Sequence, residues 1–322
     1  MFQLIDFSEC PYSDRHGTYG GLAGDKDGIL YQHQYWLIKY PKSTKFFTGQ
    51  NLASYTTAPL SEYLGSHIYQ ILGYSVHETQ LGYRNNTLVV GCKDFCKTRG
   101  SLLEIRTIKN GAYKELNQYL DTKLHHSSTG ERVNLEELLL HFQYNPILKQ
   151  LPNLEQRFWD CLIIDILIDN NDRNNGNWGI LYNEFSKTYQ IAPIYDNGNA
   201  FLNKTSDEKI KEFLQQNNKD LYLGNRTSYD YQGHILSAKK ALTLSNPNLQ
   251  QAIIRVVPNI ANHISEIKQF IQNIPEMESG YSICSPERKE YYILGIQTRF
   301  EELLLPAYEY LQNHEQSIEH LI

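Results

Sequence analysis

Cysteines are scarce in this chain, and their spacing excludes the common cysteine-based sites. Five cysteines occur in 322 residues, and no two of them form a Cys-x-x-Cys pair. An odd number of cysteines in a long chain indicates reduced thiols inside a cell and argues against a disulfide framework. Cys92 and Cys96 lie close in sequence, but we expect them to be packing residues and not a redox pair.

Long apolar runs are also missing. The most apolar stretch, residues 161–168, contains Asp165 and is far shorter than the ~20 residues that span a bilayer. The N-terminal sequence MFQLIDFSECPYSD has no basic segment followed by an apolar one, so no Sec-type signal is visible. We therefore expect a protein made in the cytoplasm without a membrane partner. Delivery to another compartment by a route with no readable signal stays open.

Positive charge is not in excess either. The formal net charge is −6, which gives no support for a nucleic-acid-binding surface, so no nucleic-acid partner is expected. Hydrophobic residues make up 41% and charged residues 20% of the chain, as in ordinary globular proteins. A chain of this length is too long for one simple core and suits two lobes that share a cleft.

The apolar pattern changes near residues 95–100. Before that point the segments 28–32, 34–40 and 87–95 are short and rich in β-branched and aromatic residues, which is typical of strands. One helix is predicted over 60–72, where apolar residues recur at helical spacing. The first part of the chain is therefore expected to form a small sheet with a single helix.

From about Ser101 onward the pattern is mostly helical, except for a hairpin predicted from 178–182 and 189–196. The sequence therefore predicts an α+β fold with a small β-rich N-terminal lobe, residues 1–96, and a larger helical C-terminal lobe, residues 97–322. The predicted helices of the second lobe are 134–142, 153–170, 248–257, 259–274 and 285–311.

The segment NNDRNNGNWG, residues 170–179, follows an apolar helix and surrounds one acid, Asp172, with amides and glycines. Asn177 comes five positions later, and the predicted hairpin ends at Asp196, which we expect to lie near Asn177 because antiparallel strands return to their starting end. One acid that accepts a hydroxyl proton, with an amide and an acid that hold Mg²⁺, is the set that phosphoryl transfer needs. The alternative is a surface loop that is merely rich in asparagine.

The N-terminal lobe contains matching features. Lys39 lies at the end of an apolar strand, where burial is costly unless the charge is paired, and Glu62 near the start of the predicted helix is the available partner. Such a Lys–Glu pair holds the α- and β-phosphates of ATP in kinases, whereas the alternative is a lysine that snorkels to solvent. The segment 16–28 is a glycine-rich turn whose backbone N–H groups could reach phosphate oxygens, and its candidate residues are Gly20, Gly21 and Gly24.

The strand 87–95 would connect the two lobes, and the backbone of Gly91 and Lys93 could pair with an adenine edge. Any connecting strand has backbone groups, so this feature permits the interpretation without proving it. The order of the features is glycine-rich loop, strand Lys, helix Glu, hinge strand, Asp-x₄-Asn, hairpin and Asp-x-Gly. Together they predict a two-lobed protein-kinase-like fold that uses ATP and Mg²⁺.

The chain resembles the HipA-type serine/threonine kinases over most of its length. DNNDRNNGN (169–177) resembles that family's catalytic loop, and QIAPIYD (190–196) resembles its metal-binding segment. QYWLIKYP (34–41) and SEYLGSHIYQILGYSV (61–76) resemble its ATP-lysine strand and the following helix.

The resemblance implies a role for each matching residue. Asp172 would be the catalytic base, Asn177 and Asp196 the Mg²⁺ ligands, Lys39 the phosphate lysine and Glu62 its partner. It also implies a protein substrate. A short member of this character resembles translocated kinases of the family, for which the target would be a host protein.

Two departures qualify the resemblance. The family usually has His two positions after the catalytic Asp, where this chain has Asn174, and we expect no counterpart of the N-terminal subdomain that the family uses with an antitoxin partner. Family members are silenced by phosphorylation of a Ser in the glycine-rich loop, but residues 16–28 contain no Ser. Autophosphorylation, if it occurs, is therefore expected at other hydroxyls, namely those of Thr18 and Tyr19 or residues in 203–231 such as Thr227, Ser228 and Tyr229.

Two other functions stay open from the sequence. One is a small-molecule kinase of the aminoglycoside or lipid type, and the other is a pseudokinase that binds nucleotide without turnover. The joint presence of the acids, the amide and the lysine speaks against the second. His125 and His126 are expected to be a solvated pair and not a metal site. Asp165 is expected to brace the catalytic loop, and Trp159 and Trp178 are expected to anchor that loop in the core.

Overall fold

The structure is a computed structural model that describes residues 2–17, 26–45, 47, 52–96, 100–111 and 133–319. The chain forms two compact units, each drawn from three stretches of sequence. The first unit is Met1–Phe95, Pro193–Leu223 and Asn262–Gln297, and the second is Cys96–Ala192, Gly224–Ala261 and Thr298–Ile322. The predicted lobes, 1–96 and 97–322, are continuous segments, and that division stays a prediction.

The described residues form short strands and longer helices, which confirms the predicted α+β class. The strands are β1 (Ile5–Asp6), β2 (Lys26–Tyr31), β3 (Gln34–Lys39), β4 (Thr79–Arg84), β5 (Thr87–Lys93), β6 (Gly100–Glu104), β7 (Val133–Asn134), β8 (Gly179–Asn183), β9 (Thr188–Ile191), β10 (Tyr229–Tyr231), β11 (His234–Ile235), β12 (Met277–Glu278) and β13 (Tyr281–Ser282). The helices are α1 (Ala58–Ile71), α2 (Ile105–Lys109), α3 (Leu135–Tyr144), α4 (Leu154–Ile168), α5 (Asp207–Gln216), α6 (Asp220–Leu223), α7 (Ala238–Ala241), α8 (Pro247–Gln272), α9 (Pro286–Arg299) and α10 (Leu305–Glu319).

The first unit contains a five-stranded sheet in the order β1-β4-β5-β3-β2. The pairings are antiparallel except that β1 and β4 run parallel. Strands β2, β3 and β5 were predicted, whereas β1 and β4 were not. The β4 sequence TQLGYR hides its strand character, because Gly82 replaces a side chain where the Ile5 carbonyl and the Phe7 ring come close.

Helix α1 packs against β4 and β5 through Leu60, Leu64 and Ile68, all of them buried. Pro59 lies in its first turn, where the missing N–H costs nothing, and Gly73 follows its end with φ +84°. The predicted helix over 60–72 is therefore confirmed. Its burial fixes which residues of the helix face the sheet, and Glu62 is among them.

The second unit is built around α4, which is buried along almost its whole length. The predicted hairpin is confirmed as β8 and β9, and β6 pairs with β8 to complete a three-stranded antiparallel sheet. Two expectations were wrong in detail. Residues 100–104 are a strand and not the start of the helical region, and the second hairpin strand ends at Ile191 and not at residue 196.

Two helices have bounds that differ from the prediction. We expected helices over 248–257 and 259–274, but α8 continues through Pro258. A proline inside a helix costs about 3 kcal/mol, yet Val256, Val257 and Ile260 are all buried, and their burial keeps the helix continuous. The predicted helix 285–311 is interrupted by a π turn at Phe300–Leu304. No helix among the described residues is long and apolar enough to cross a membrane.

Candidate active site

Lys39, Glu62 and Asp196 meet in the first unit, as the sequence predicted for the first two. The Lys39 Nζ donates to Glu62 Oε2 at 2.8 Å and to Asp196 Oδ1 at 2.6 Å. Glu62 is buried with 1% of its side chain exposed, whereas the Asp196 side chain is 35% exposed. The lysine is therefore a bridge between an enclosed carboxylate and one that a hydrated metal ion can reach.

The charges of this triad depend on one another. Burial favours the neutral form of each carboxyl, but Lys39 holds the pKa of Glu62 and that of Asp196 below their ordinary values. Burial also opposes the charged lysine, yet the two carboxylates raise the pKa of Lys39 well above its ordinary value. All three groups are charged at neutral pH. Removing Lys39 would leave two carboxylates, the buried one of Glu62 included, without their shared counter-charge, a change that costs about 3–5 kcal/mol.

Glu62 is held from a second side by residues that the sequence analysis did not identify. Its Oε1 accepts from the backbone N–H of Asn197 at 2.9 Å and lies 3.0 Å from His77 Nε2. Ser66 Oγ lies 3.0 Å from the same His77 nitrogen and accepts from Asn197 Nδ2 at 3.0 Å. All four side chains are buried, so the orientation of the Glu62 carboxylate is fixed by hydrogen bonds to three neighbours.

His77 also connects to the segment that precedes Asp196. The His77 N–H donates to the Ile194 carbonyl at 2.9 Å, and Val76 forms a β-bridge with Ile194. Asp196 itself has φ +61°, a left-handed conformation that Asp tolerates better than most residues. Through His77 and Val76, the segment after α1 therefore helps to position both Glu62 and Asp196.

Glu62, His77 and Cys92 bring three metal-ligating atoms within 4.8 Å of one another. This set does not favour a metal. Glu62 and His77 are already paired, and burial raises the pKa of the Cys92 thiol far above its ordinary value, so the thiolate that a metal needs is disfavoured. Asp196 is the better candidate for a hard ion such as Mg²⁺, because it offers carboxylate oxygen and is partly exposed.

The two predicted hinge residues, Gly91 and Lys93, lie in β5. Gly91 is opposite Ile38 of β3 and Gln80 of β4, so it is in the middle of the sheet. The N–H of Lys93 donates to the Glu78 carbonyl at 2.9 Å, so that donor is already used within the protein. The contact of Gly91 and Lys93 with adenine stays a prediction. Gly20, Gly21 and Gly24, the hydroxyls of Thr18 and Tyr19, and the pair His125 and His126 lie outside the described residues.

In the second unit, α4 ends at Ile168, and the next residue, Asp169, has a φ of +54° that turns the chain into the predicted catalytic loop. The structure brings Asp172 and Asn177 together, as the spacing predicted. The Asn177 Nδ2 donates to the Asp172 carbonyl at 2.5 Å and lies 3.4 Å from its Oδ2. Asn177 is half-buried, which leaves its side chain available to a ligand.

The expectation that Asp165 braces this loop is confirmed. Its two carboxylate oxygens accept from Arg173 Nε at 2.8 Å and from Arg173 Nη2 at 2.9 Å, and Asn170 Nδ2 donates to Oδ1 at 3.0 Å. The Arg173 Nη1 then donates to the Asn177 carbonyl at 3.0 Å. A buried bidentate ion pair therefore connects α4 to both ends of the loop.

Asn174, where the resemblance predicts a different residue, is also part of the loop's hydrogen bonding. Its Nδ2 donates to Asp172 Oδ1 at 3.1 Å, and its Oδ1 accepts from the Gly176 N–H at 2.8 Å and from Arg106 Nη2 at 3.2 Å. Neither Arg106 nor Asn174 was predicted to contribute. No local sequence signal marks Arg106, because 68 residues separate it from Asn174.

Asp169 differs from these paired acids. It is 6% exposed, and its Oδ1 has no hydrogen-bond partner among the described residues. Burial raises the pKa of Asp169 to about 6, although Arg299 and Arg226 act in the opposite direction. A Cβ added to Gly224 would overlap the Asp169 carboxyl group, so the close approach requires glycine there.

Of the tryptophans flanking the loop, Trp159 is fully buried in the core, as expected. Trp178 is half-buried and packs on Phe158 with ring centroids 5.5 Å apart. Of the candidate phosphorylation residues, Ser228 and Tyr229 are buried, and the Thr227 hydroxyl donates to the Leu236 carbonyl at 2.7 Å. A phosphoryl group could reach the buried pair only after local opening.

Comparisons with known proteins give the following results. No family model matches the sequence. The curated serine/threonine-protein kinase CtkA of Helicobacter pylori is 31% identical over 319 residues, which covers 94% of this chain and 90% of CtkA. The crystal structure of the H. pylori proinflammatory kinase CtkA has a TM-score of 0.79 at 27% identity and covers 96% of this chain and 98% of that chain. HipA from Shewanella oneidensis, solved with HipB and operator DNA, reaches a TM-score of 0.48 at 12% identity, covering 91% of this chain and 69% of that one.

Proposed function

The chain belongs to the family of the serine/threonine-protein kinase CtkA, and on this premise we propose that it transfers the γ-phosphate of Mg-ATP to serine or threonine hydroxyls of a protein. The kinase-like fold expected from the sequence agrees with the CtkA structure. The observation that carries the proposal is the ion triad in which Lys39 Nζ is held between Glu62 and Asp196. A lysine fixed by a helix glutamate is the device that contacts ATP phosphates in kinases.

The proposal gives each residue of the triad one task. Lys39 would bind the α- and β-phosphates, and Glu62, itself held by Asn197 and His77, would keep the lysine extended. Asp196 would be a metal ligand, since its carboxylate is charged and partly exposed. Binding of the nucleotide therefore needs little reorganisation of these side chains, because the triad is already assembled.

In the catalytic loop the proposal assigns Asp172 as the base that accepts the proton of the attacking hydroxyl, and Asn177 as a second metal ligand. Mg²⁺ bound with ATP would neutralise the charge that develops on the phosphoryl oxygens. The bidentate ion pair between Arg173 and Asp165 links the loop to α4 and so keeps the base in place. Neither residue of the pair would contact the substrate. The glycine-rich residues and the hinge backbone keep their predicted roles as part of this proposal.

Site-directed variants test these roles separately. Asp172→Asn should abolish transfer of labelled γ-phosphate to a generic protein substrate while nucleotide binding is largely kept, because it removes only the proton acceptor. Asp196→Asn should weaken binding of Mg-ATP as well. Asp220 is an exposed aspartate of the first unit, so Asp220→Asn is the matched control and should behave as wild type. Wild-type activity of Asp172→Asn would remove the base assignment.

Autophosphorylation and the physiological target are further parts of the proposal. The candidate acceptors are Thr18, Tyr19 and the hydroxyl residues in 203–231 such as Thr227, Ser228 and Tyr229, and mass spectrometry after incubation with Mg-ATP tests them. No phosphate on any of these residues would contradict this part. The H. pylori relative is described as proinflammatory. We propose that this chain also acts on a host protein, and labelling of host-cell extract by wild type but not by Asp172→Asn would support that proposal.

A further inference from the structure

We propose that Asn174 is a positioning residue for the catalytic base: its side-chain N–H orients the Asp172 carboxylate toward the attacking hydroxyl. The inference rests on the proposed function, because it takes Asp172 to be the base. Neither the Asp-x₄-Asn spacing nor the similarity to known kinases assigns a role to Asn174. The positioning role also gives a purpose to the arginine on α2, which has no other role in the proposed reaction.

The direction of the Asn174 amide follows from its neighbours. Its Oδ1 lies 2.8 Å from the Gly176 N–H and 3.2 Å from Arg106 Nη2, and both of these groups can only donate. Its Nδ2 lies 3.1 Å from Asp172 Oδ1, and a carboxylate can only accept. A flipped amide would place NH₂ against two donors and oxygen against an anion, so the network allows one orientation.

The loop backbone holds this side chain where it is. The Asn174 N–H donates to the Asp172 carbonyl at 2.8 Å, and the Asn177 N–H donates to the Asn174 carbonyl at 2.9 Å. The backbone of Arg106 is fixed in turn, because its backbone N–H donates to the Asn175 carbonyl at 2.8 Å. A Cβ on Gly176 would overlap the Arg106 guanidinium. The glycine is therefore what lets the arginine reach the amide.

The two oxygens of Asp172 are consequently distinguished. Oδ1 accepts the Asn174 N–H, and Oδ2 is 3.4 Å from Asn177 Nδ2. Rotation of the carboxylate would break the stronger of these contacts, so the lone pairs of the base have a fixed direction. Losing such alignment costs proton-transfer enzymes on the order of 10- to 100-fold in rate.

The sharpest test is Asn174→Asp. This isosteric change keeps an acceptor for Gly176 and Arg106 but places a carboxylate oxygen against Asp172. We expect kcat at neutral pH to fall at least about 10-fold, while KM for ATP stays within about threefold. Asn183→Asp is the matched control, because Asn183 Oδ1 also accepts two backbone N–H groups, in the β8–β9 turn, and should leave kcat unchanged.

The outcomes separate this inference from the proposed function. If Asp172→Asn is inactive while Asn174→Asp keeps wild-type kcat, the positioning role is wrong and the base assignment stands. If Asp172→Asn stays active, the base assignment fails and this inference fails with it. Should Asn174→Asp not fold, Asn174→Ala decides the question. A kcat lowered at least about 10-fold with KM for ATP within about threefold supports the role, and a wild-type kcat overturns it.

Discussion

Replacing Asp169 by asparagine should make the protein more stable at neutral pH and change its stability little near pH 4. The carboxyl group is 6% exposed and its Oδ1 has no partner among the described residues, so ionisation is unfavourable in the folded state. Asparagine has nearly the same shape and tolerates the left-handed conformation that residue 169 adopts. The substitution therefore removes the charge while leaving the packing against Gly224 as it is.

The magnitude follows from the pKa. Burial raises the pKa of Asp169 to about 6 in the folded protein, against 3.8 as its ordinary value. The folded state thus binds this proton more tightly, so stability is full below pH 3.8 and is lost as the pH rises through 6. At about 1.36 kcal/mol per pKa unit the loss is about 3 kcal/mol above pH 7. The asparagine variant should recover about 1–3 kcal/mol of it, because its amide is also buried.

Urea unfolding of wild type and Asp169→Asn at pH 7.5 and pH 4.5 measures the effect. The gain in the free energy of unfolding at pH 4.5 should be less than half of that at pH 7.5, since the folded wild type is then mostly protonated at this residue. Asp220→Asn, at an exposed position, should show no such dependence. An equal gain at both pH values, or a loss at pH 7.5, would refute the reasoning that the carboxylate is buried and uncompensated.

Two further predictions concern the buried partners of the site. Asp165→Asn should lower the free energy of unfolding by about 3–5 kcal/mol, because Arg173 is left charged and buried, and chemical denaturation measures this directly. His77→Gln should keep KM for ATP within about threefold, since its amide reaches the position of the imidazole Nε2 that contacts Glu62. His77→Asn is one bond shorter and should raise KM about tenfold, the equivalent of one hydrogen bond to a charge; equal values for the two variants would contradict the prediction.

The parts of the site that could be predicted from the sequence are those with a local signal. The lysine at a strand end and the glutamate in the next helix indicate a pair because burying Lys39 alone is too costly. Asp172 and Asn177 share one loop, and their separation of five residues predicts that their side chains lie close together. The hairpin and α1 are likewise encoded by neighbours along the chain, through alternation, helical spacing and glycine at a turn.

The parts that could not be predicted depend on contacts between distant segments. Asn197 reaches Ser66 across 131 residues and Glu62 across 135, and neither spacing has a period or motif. His77 follows a helix in a stretch with no apolar pattern, and its contacts are with Glu62, Ser66 and Ile194, which no local signal links to it. Strands β4 and β6 were missed for a related reason, since their partners supply the hydrogen bonds and burial that their own residues do not indicate.

Asp165 lies between these two cases and shows where local reasoning stops. An acid inside CLIIDILI reveals that a partner must exist, because an unpaired buried carboxylate is too unfavourable, but it does not name the partner. Arg173, eight residues later, could have been proposed from the loop itself. Asp169 follows Asp165 by one helical turn, and its Oδ1 has no hydrogen-bond partner among the described residues. It precedes the loop that contains Asp172, the proposed base. The fold therefore pairs one buried acid with an arginine and leaves the other incompletely compensated at the start of the proposed catalytic loop, which is where proteins accept reduced stability in exchange for function.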